Sequence, residues 1–125
     1  MLFDYLSEDS DWFDWAAWAL ADAANDGVLA INPIIYAEIS VRYDNVEDVD
    51  EALSPRFFRR LPLPWDAAFL AAKAFHRYRR AGGSRTRPLP DFFIGAHAAV
   101  AGMTLLTRDA RRYREYFPNL SIIAP

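Results

Sequence analysis

The run from Pro90 to Asp109 leaves this chain few ways to fold. It reads as a helix without a polar face, followed by a short strand. Pro90 suits the first helical position, because its missing N–H is one that the first turn does not need. Phe92, Phe93, Ile94, Ala96, Ala98, Ala99 and Val100 then place apolar atoms on nearly every side. A helix that is apolar all round belongs in an interior. Gly102 closes it, and residues 104–107 follow as a strand. The polar exceptions are Asp91, in the first helical turn, and Asp109, just past the strand. A carboxylate entering a buried helix must be paired, hydrogen-bonded or metal-bound. Asp109 sits where a strand of an open α/β sheet delivers its loop, the edge at which ligands gather.

The remaining chain supplies more elements of the same kind. Ser10 is a candidate N-cap for a helix reaching about Asn25, with Trp12, Phe13, Trp15, Ala16, Trp18, Ala19 and Ala23 as its apolar positions. The Trp12, Trp15 and Trp18 group reads as core or dimer packing, with RNA stacking on exposed ring faces as the lesser alternative. The apolar run 28–31 predicts a buried parallel strand. Asn32-Pro33 predicts a second helix start, with the helix running over 33–43. A short acidic helix over 46–53 and an edge strand within 57–63 come next. Residues 65–81 have helical periodicity, with Ala68, Phe69, Ala72, Ala74 and Phe75 expected inward and Lys73, Arg77 and Arg80 outward. A basic loop over 84–89 leads to Pro90. After the strand at 104–107, a short basic helix spans 110–116 and a last strand spans 120–123. Helices alternating with strands imply a mainly parallel sheet covered on both faces, a three-layer α/β/α domain. The expected organisation is one domain across residues 1–125.

Composition limits the chemistry. There is no cysteine, so no disulfide framework and no thiolate metal site. The two histidines, His76 and His97, are too few for a histidine-rich centre; His97 reads as a satisfied helix residue and His76 as a surface one. Any metal would be a hard cation held by oxygen. Neither a signal peptide nor a membrane span is apparent, so a soluble cytoplasmic protein is expected.

Charge is unevenly spread. Residues 1–51 carry 13 acidic side chains and one arginine, while residues 52–125 carry 4 acidic and 13 basic ones, for an overall charge of −3. Arg77, Arg79, Arg80, Arg85 and Arg87 fall in one short stretch, and Arg108, Arg111, Arg112 and Arg114 surround and follow Asp109. Such clusters either track phosphates or form a solvated helix end and loop.

Three acids stand out by position: Glu38, Asp91 and Asp109. Glu38 lies at helical spacing from Ile34, Ile35 and Val41, a carboxylate on an otherwise apolar face; the plainer alternative is an ion pair with Arg42 four residues on. Three acids meeting at one sheet edge repel one another unless a cation neutralises them. Mg²⁺ or Mn²⁺ suits an all-oxygen site that keeps several waters. The reaction class served by such a site is metal-assisted phosphodiester hydrolysis.

Several motifs together resemble a known family. They are Asn32-Pro33-Ile34-Ile35-Tyr36-Ala37-Glu38-Ile39-Ser40, Pro90-Asp91-Phe92-Phe93-Ile94-Gly95-Ala96-His97-Ala98 and Leu105-Leu106-Thr107-Arg108-Asp109. They end in Tyr116-Phe117-Pro118 and Ile122-Ile123-Ala124-Pro125. The chain is similar to PIN-domain ribonucleases, and more closely to the VapC-type toxins of toxin–antitoxin pairs. The resemblance implies a PIN-like α/β/α fold and an Mg²⁺- or Mn²⁺-dependent endoribonuclease. It also implies an RNA substrate, a VapB-type antitoxin and a homodimer. It carries over three acids, Glu38, Asp91 and Asp109, as metal-holding and catalytic residues, with Thr107 as the hydroxyl residue two before the last acid. Phosphate contacts are expected from Arg77, Arg80, Arg85, Arg87, Arg108 and Arg112. The family's first acid does not carry over. Met1-Leu2-Phe3-Asp4 aligns with the end of that first motif, so the first strand is expected to be largely missing, with at most a remnant at 1–3. Asp4 then reads as a structural residue or one that supports the ligands, with a substitute ligand as the alternative. The alternative function is a catalytically inactive PIN-like module that binds a partner.

Overall fold

The computed structural model describes residues 1–7, 10–85 and 89–125. The chain divides into two compact units, Met1–Pro62 with Pro125, and Leu63–Ala124.

The first unit starts with α1 (Leu2–Leu6) and α2 (Phe13–Asp26). Residues 1–3 therefore do not form a strand remnant: Leu2 and Phe3 belong to a helix. The Tyr5 N–H donates to the Met1 carbonyl at 3.3 Å, and the Tyr5 ring stacks on Phe13 of α2. Ser10 is not the N-cap either. That position is Trp12, without a side-chain cap, because the Ser10 hydroxyl donates to Asp4 Oδ1 at 2.6 Å while accepting the Trp12 N–H at 3.1 Å. Trp15 is half-buried against the edge of Trp12, whereas Trp18 is 62% exposed, so these rings do not form a closed core group.

β1 (Leu29–Ile31) pairs in parallel with β2 (Phe58–Arg60), Leu29 opposite Phe58 and Ile31 opposite Arg60. Only Ile31 of β1 is fully buried, and Val28, expected in the strand, lies outside it and exposed. Parallel strands need a crossover. Here it contains α3 (Pro33–Ser40) and α4 (Val46–Ala52). α3 starts as its sequence predicts: Asn32 Oδ1 accepts the Ile35 N–H at 3.0 Å, and Pro33 occupies the first turn. It ends before Val41, which is exposed, and its buried side chain is Ile39.

The second unit starts with α5 (Trp65–Arg80) and α6 (Pro90–Val100), which pack closely on each other. β3 (Leu105–Leu106), α7 (Arg111–Tyr116) and β4 (Ile122–Ile123) follow, with β3 and β4 parallel. The core cluster joins Ala67, Ala71 and Ala74 of α5, Phe92 and Ala96 of α6, and Tyr113, Tyr116 and Phe117. The buried face of α5 is thus its alanine stripe, and Phe69 and Ala72, expected inward, are exposed. Alanines at i, i+4 and i+7 let the backbones approach, and the gap is filled by the larger rings of α6 and α7. α6 keeps its predicted bounds. Its end is set by Gly102, at φ +66, where the Met103 N–H turns back to the Ala98 carbonyl at 2.9 Å.

The fold class is α/β with parallel pairing, as expected. Among the described residues the strands form two two-stranded sheets, β1-β2 and β3-β4, one in each unit. No helix among the described residues is long and apolar enough to cross a membrane.

Candidate functional site

Asp91 stands in the first turn of α6, between Pro90 and the fully buried Phe92. Its carboxylate is 42% exposed and has two partners from α7. Arg112 Nη1 donates to Oδ2 and the Tyr113 hydroxyl donates to Oδ1, both at 3.2 Å. Arg112 is itself held against rings, its guanidinium carbon 5.8 Å from the Phe92 centroid and 5.9 Å from that of Tyr78. Gly95 sets the spacing of the two helices. A Cβ there would come within 2.6 Å of the Phe117 ring and 3.0 Å of the Tyr113 ring. A larger residue would push α7, and with it both partners of Asp91, away from α6.

Asp109 lies beyond β3 and is exposed. Its Oδ1 accepts the Arg111 N–H at 3.2 Å, and its carbonyl accepts the Thr107 hydroxyl at 3.3 Å. The first contact ties the loop to the first residue of α7; the second folds the loop back on the end of the strand. Thr107 is therefore a loop-shaping residue in this conformation. Glu38, half-buried on α3, belongs to the first unit. Asp4 is buried, bonded to Ser10 and 3.6 Å from the amino-terminal nitrogen. Among the described residues, no group of three or more Asp, Glu or His side chains is drawn together as a ready cage for a metal ion.

The arginines named from sequence fall into three groups. Arg80, Arg85 and Arg108 are exposed. Arg77 and Arg112 point at their own chain: Arg77 Nη2 donates to the Tyr116 carbonyl at 2.7 Å, closing the end of α7, and Arg112 holds Asp91. Arg87 lies outside the described residues. Arg79 shapes the turn after α5 by donating to the carbonyls of Gly83 and Arg85. The Tyr78 hydroxyl accepts the Arg85 N–H at 3.4 Å, a contact that holds the phenol below its usual pKa. His97 is buried in α6, and desolvation lowers its pKa, favouring the neutral ring.

Sequence reasoning missed a second carboxylate held by an arginine and a tyrosine. Asp50 Oδ1 accepts from Arg60 Nη2 at 2.7 Å and from the Tyr36 hydroxyl at 2.9 Å, and Arg60 sits over the Tyr36 ring at 5.1 Å. Arg60, then Tyr36, hold the Asp50 carboxyl below its ordinary pKa, and the same hydrogen bond raises that of Tyr36. These residues lie on α3, α4 and β2, and no periodic pattern ties them together. The ring-lined setting of Arg112 was equally hidden. Its only advance signal was a basic helix following Asp109.

A model of the PIN-domain family matches residues 1–117. The chain belongs to the PIN-domain family. Its fold is also similar to that of a chain in VapBC2 from Rickettsia felis, solved bound to a DNA fragment from its promoter. That match has a TM-score of 0.71 at 17% identity and covers 98% of this chain and 92% of that one. A chain of VapBC-1 from nontypeable Haemophilus influenzae matches with a TM-score of 0.66 at 18% identity, covering 84% of this chain and 83% of that one. Comparison with curated protein sequences gives no match. Within this PIN-domain chain, the part-exposed Asp91 and the exposed Asp109 offer carboxylate oxygens. That donor chemistry fits a hard divalent cation that retains waters, and would not suit a soft metal.

Proposed function

We propose that this PIN-domain chain is a VapC-type toxin, an endoribonuclease dependent on Mg²⁺ or Mn²⁺ and silenced by a VapB-type antitoxin. The observation that carries the reading is Asp91. It is a part-exposed carboxylate at the entry of an otherwise buried helix, in a chain of the PIN family. In this proposal Asp91 and Asp109 hold the cation, and Glu38 completes the ligand set or orients the attacking water. The bound cation would supply a Lewis acid that activates water and stabilises the leaving oxygen. Arg80, Arg85, Arg87 and Arg108 dock RNA phosphates, with Arg77 and Arg112 adding positive charge from positions fixed by their own contacts. RNA binding then weakens as salt rises.

The antitoxin is supported by the similarity to two VapBC complexes. Exposed rings in each unit, Trp18 in the first and Trp65 and Phe69 in the second, suit a chain that pairs with a second copy and with an antitoxin. A cytoplasmic location follows from an RNA substrate inside the cell.

The test is cleavage of single-stranded and hairpin RNA in Mg²⁺ or Mn²⁺, free of antitoxin, by wild type and Asp91→Asn. The variant is expected to lose cleavage with its fold intact, since Asn keeps the shape without the charge. Equal cleavage by the two proteins would end the nuclease reading. A second reading, an inactive PIN-like module that only binds a partner, is favoured by one observation: both oxygens of Asp91 already accept bonds from the chain itself. Metal-independent antitoxin binding, with no cleavage under any condition, would establish it.

A further inference from the structure

We propose that Arg112 is a resident counter-cation of Asp91, one that a divalent metal must displace, so that it sets how tightly the metal binds. The inference rests on the reading above, that Asp91 holds the cation. Three features of the second unit carry it. A guanidinium is a cation with a planar fork of donors, and Arg112 Nη1 donates to this carboxylate at Oδ2. Its guanidinium also lies beside the Phe92 and Tyr78 rings, a surface along which it can shift. Its contact with Asp91 is nevertheless long, 3.2 Å, where a tight charge-assisted bond is about 2.7–2.9 Å.

The Asp50 clamp shows the difference. There both donors reach one oxygen, at 2.7 and 2.9 Å. At Asp91 the two donors take separate oxygens, each at 3.2 Å, the long limit for the guanidinium N–H and longer than a usual hydroxyl bond. A carboxylate held this way is oriented without being saturated. Tyr113 can stay on Oδ1 while Arg112 moves along the ring surface, releasing Oδ2 to an incoming cation. With no cation present, Arg112 offsets the negative charge of Asp91. With one present, the guanidinium repels it, so affinity is lower than the carboxylate alone would give. Arg112 is in this sense a positioning residue that acts through Asp91.

The experiment is a Mn²⁺ titration of the full chain, following loss of the free-ion electron paramagnetic resonance signal. It compares wild type, Arg112→Gln, Arg112→Lys and Asp91→Asn, each with its thermal midpoint measured. Arg112→Gln is expected to bind Mn²⁺ about tenfold tighter, as removal of one nearby positive charge implies. Arg112→Lys keeps the charge and should return the affinity close to that of wild type. Damage to local structure would weaken binding rather than tighten it, so the direction separates the proposal from a merely structural role. Equal or weaker binding by Arg112→Gln, alongside loss of binding in Asp91→Asn, would overturn the counter-cation. Unchanged binding in Asp91→Asn would instead overturn the metal reading on which it rests.

Discussion

Asp50 in the first unit and Asp91 in the second each accept hydrogen bonds from one arginine and one tyrosine. The composition is the same and the construction is not. The Asp50 donors come from α3 and β2 and converge on one oxygen at short range, so three elements of the first unit are tied at one point. The Asp91 donors are neighbours on α7 and take one oxygen each, at 3.2 Å. Asp50 is a fastening: its carboxyl is held below its ordinary value, with Arg60 the main cause and Tyr36 the second. Asp91 is held by longer contacts, one on each oxygen, and under the proposed function that is what leaves it open to a cation. The same pair of donor types thus makes a short, convergent hold at one carboxylate and a longer, divided one at the other.

The largest effect is expected where the Asp91 clamp loses its floor. Phe92 is fully buried and carries the ring surface under Arg112. Phe92→Ala should lower stability by about 3–5 kcal/mol, read from urea denaturation. A loss below about 1 kcal/mol would mean that the clamp does not stand on the second unit's core.

A step smaller is Gly95→Ala, which drives a methyl into Phe117 and Tyr113 and should lower stability by about 1–3 kcal/mol. The tyrosine hydroxyl chemical environment at Tyr113 should change with it, observable by NMR of labelled tyrosine. An unshifted Tyr113 would show that the α6–α7 spacing does not set the clamp.

pH separates the units further. Burial lowers the His97 pKa from 6.5, so an unfolded chain binds a proton there that the folded one resists. The stability due to neutral His97 is full above 6.5 and is lost as pH falls through the lowered folded value. Asp50 has the same sign at a lower pH. Its contribution is present above the ordinary 3.8 and is lost as pH falls below that, through the depressed folded value. Amide exchange should therefore weaken in protection at α6 before it does at α3 and α4 as pH drops from 7. Simultaneous loss, or no effect of His97→Gln on the α6 profile, would break this distinction.

The smallest expected effects give the most direct comparison. Tyr36→Phe removes a 2.9 Å bond and Tyr113→Phe a 3.2 Å bond. Thermal midpoints should fall more for Tyr36→Phe, with Tyr113→Phe within about 1 kcal/mol of wild type. The reverse order would make Asp91 the tighter of the two.

Much of this chain could be read along its length. Asn32-Pro33 starts α3 and Pro90 starts α6, because a side-chain cap and a proline in the first turn act within three or four residues. Gly102 ends α6 for an equally local reason, the left-handed backbone that glycine tolerates. Alternating helices and apolar runs were enough to indicate α/β and parallel pairing, and the three motifs were enough to suggest the PIN family. Other features were decided only by contacts distant in sequence. Which face of α5 is buried depended on α6 accepting an alanine stripe, so Phe69 is outside although its periodicity also allowed it inside. Residues 2–6 became a helix that packs on α2 rather than a remnant of a strand. The partners of Asp91 are 21 and 22 residues away, and those of Asp50 are 10 and 14. The strength of a carboxylate's grip depends on tenths of an ångström between separate elements, and these distances are set only when the cores beneath them pack.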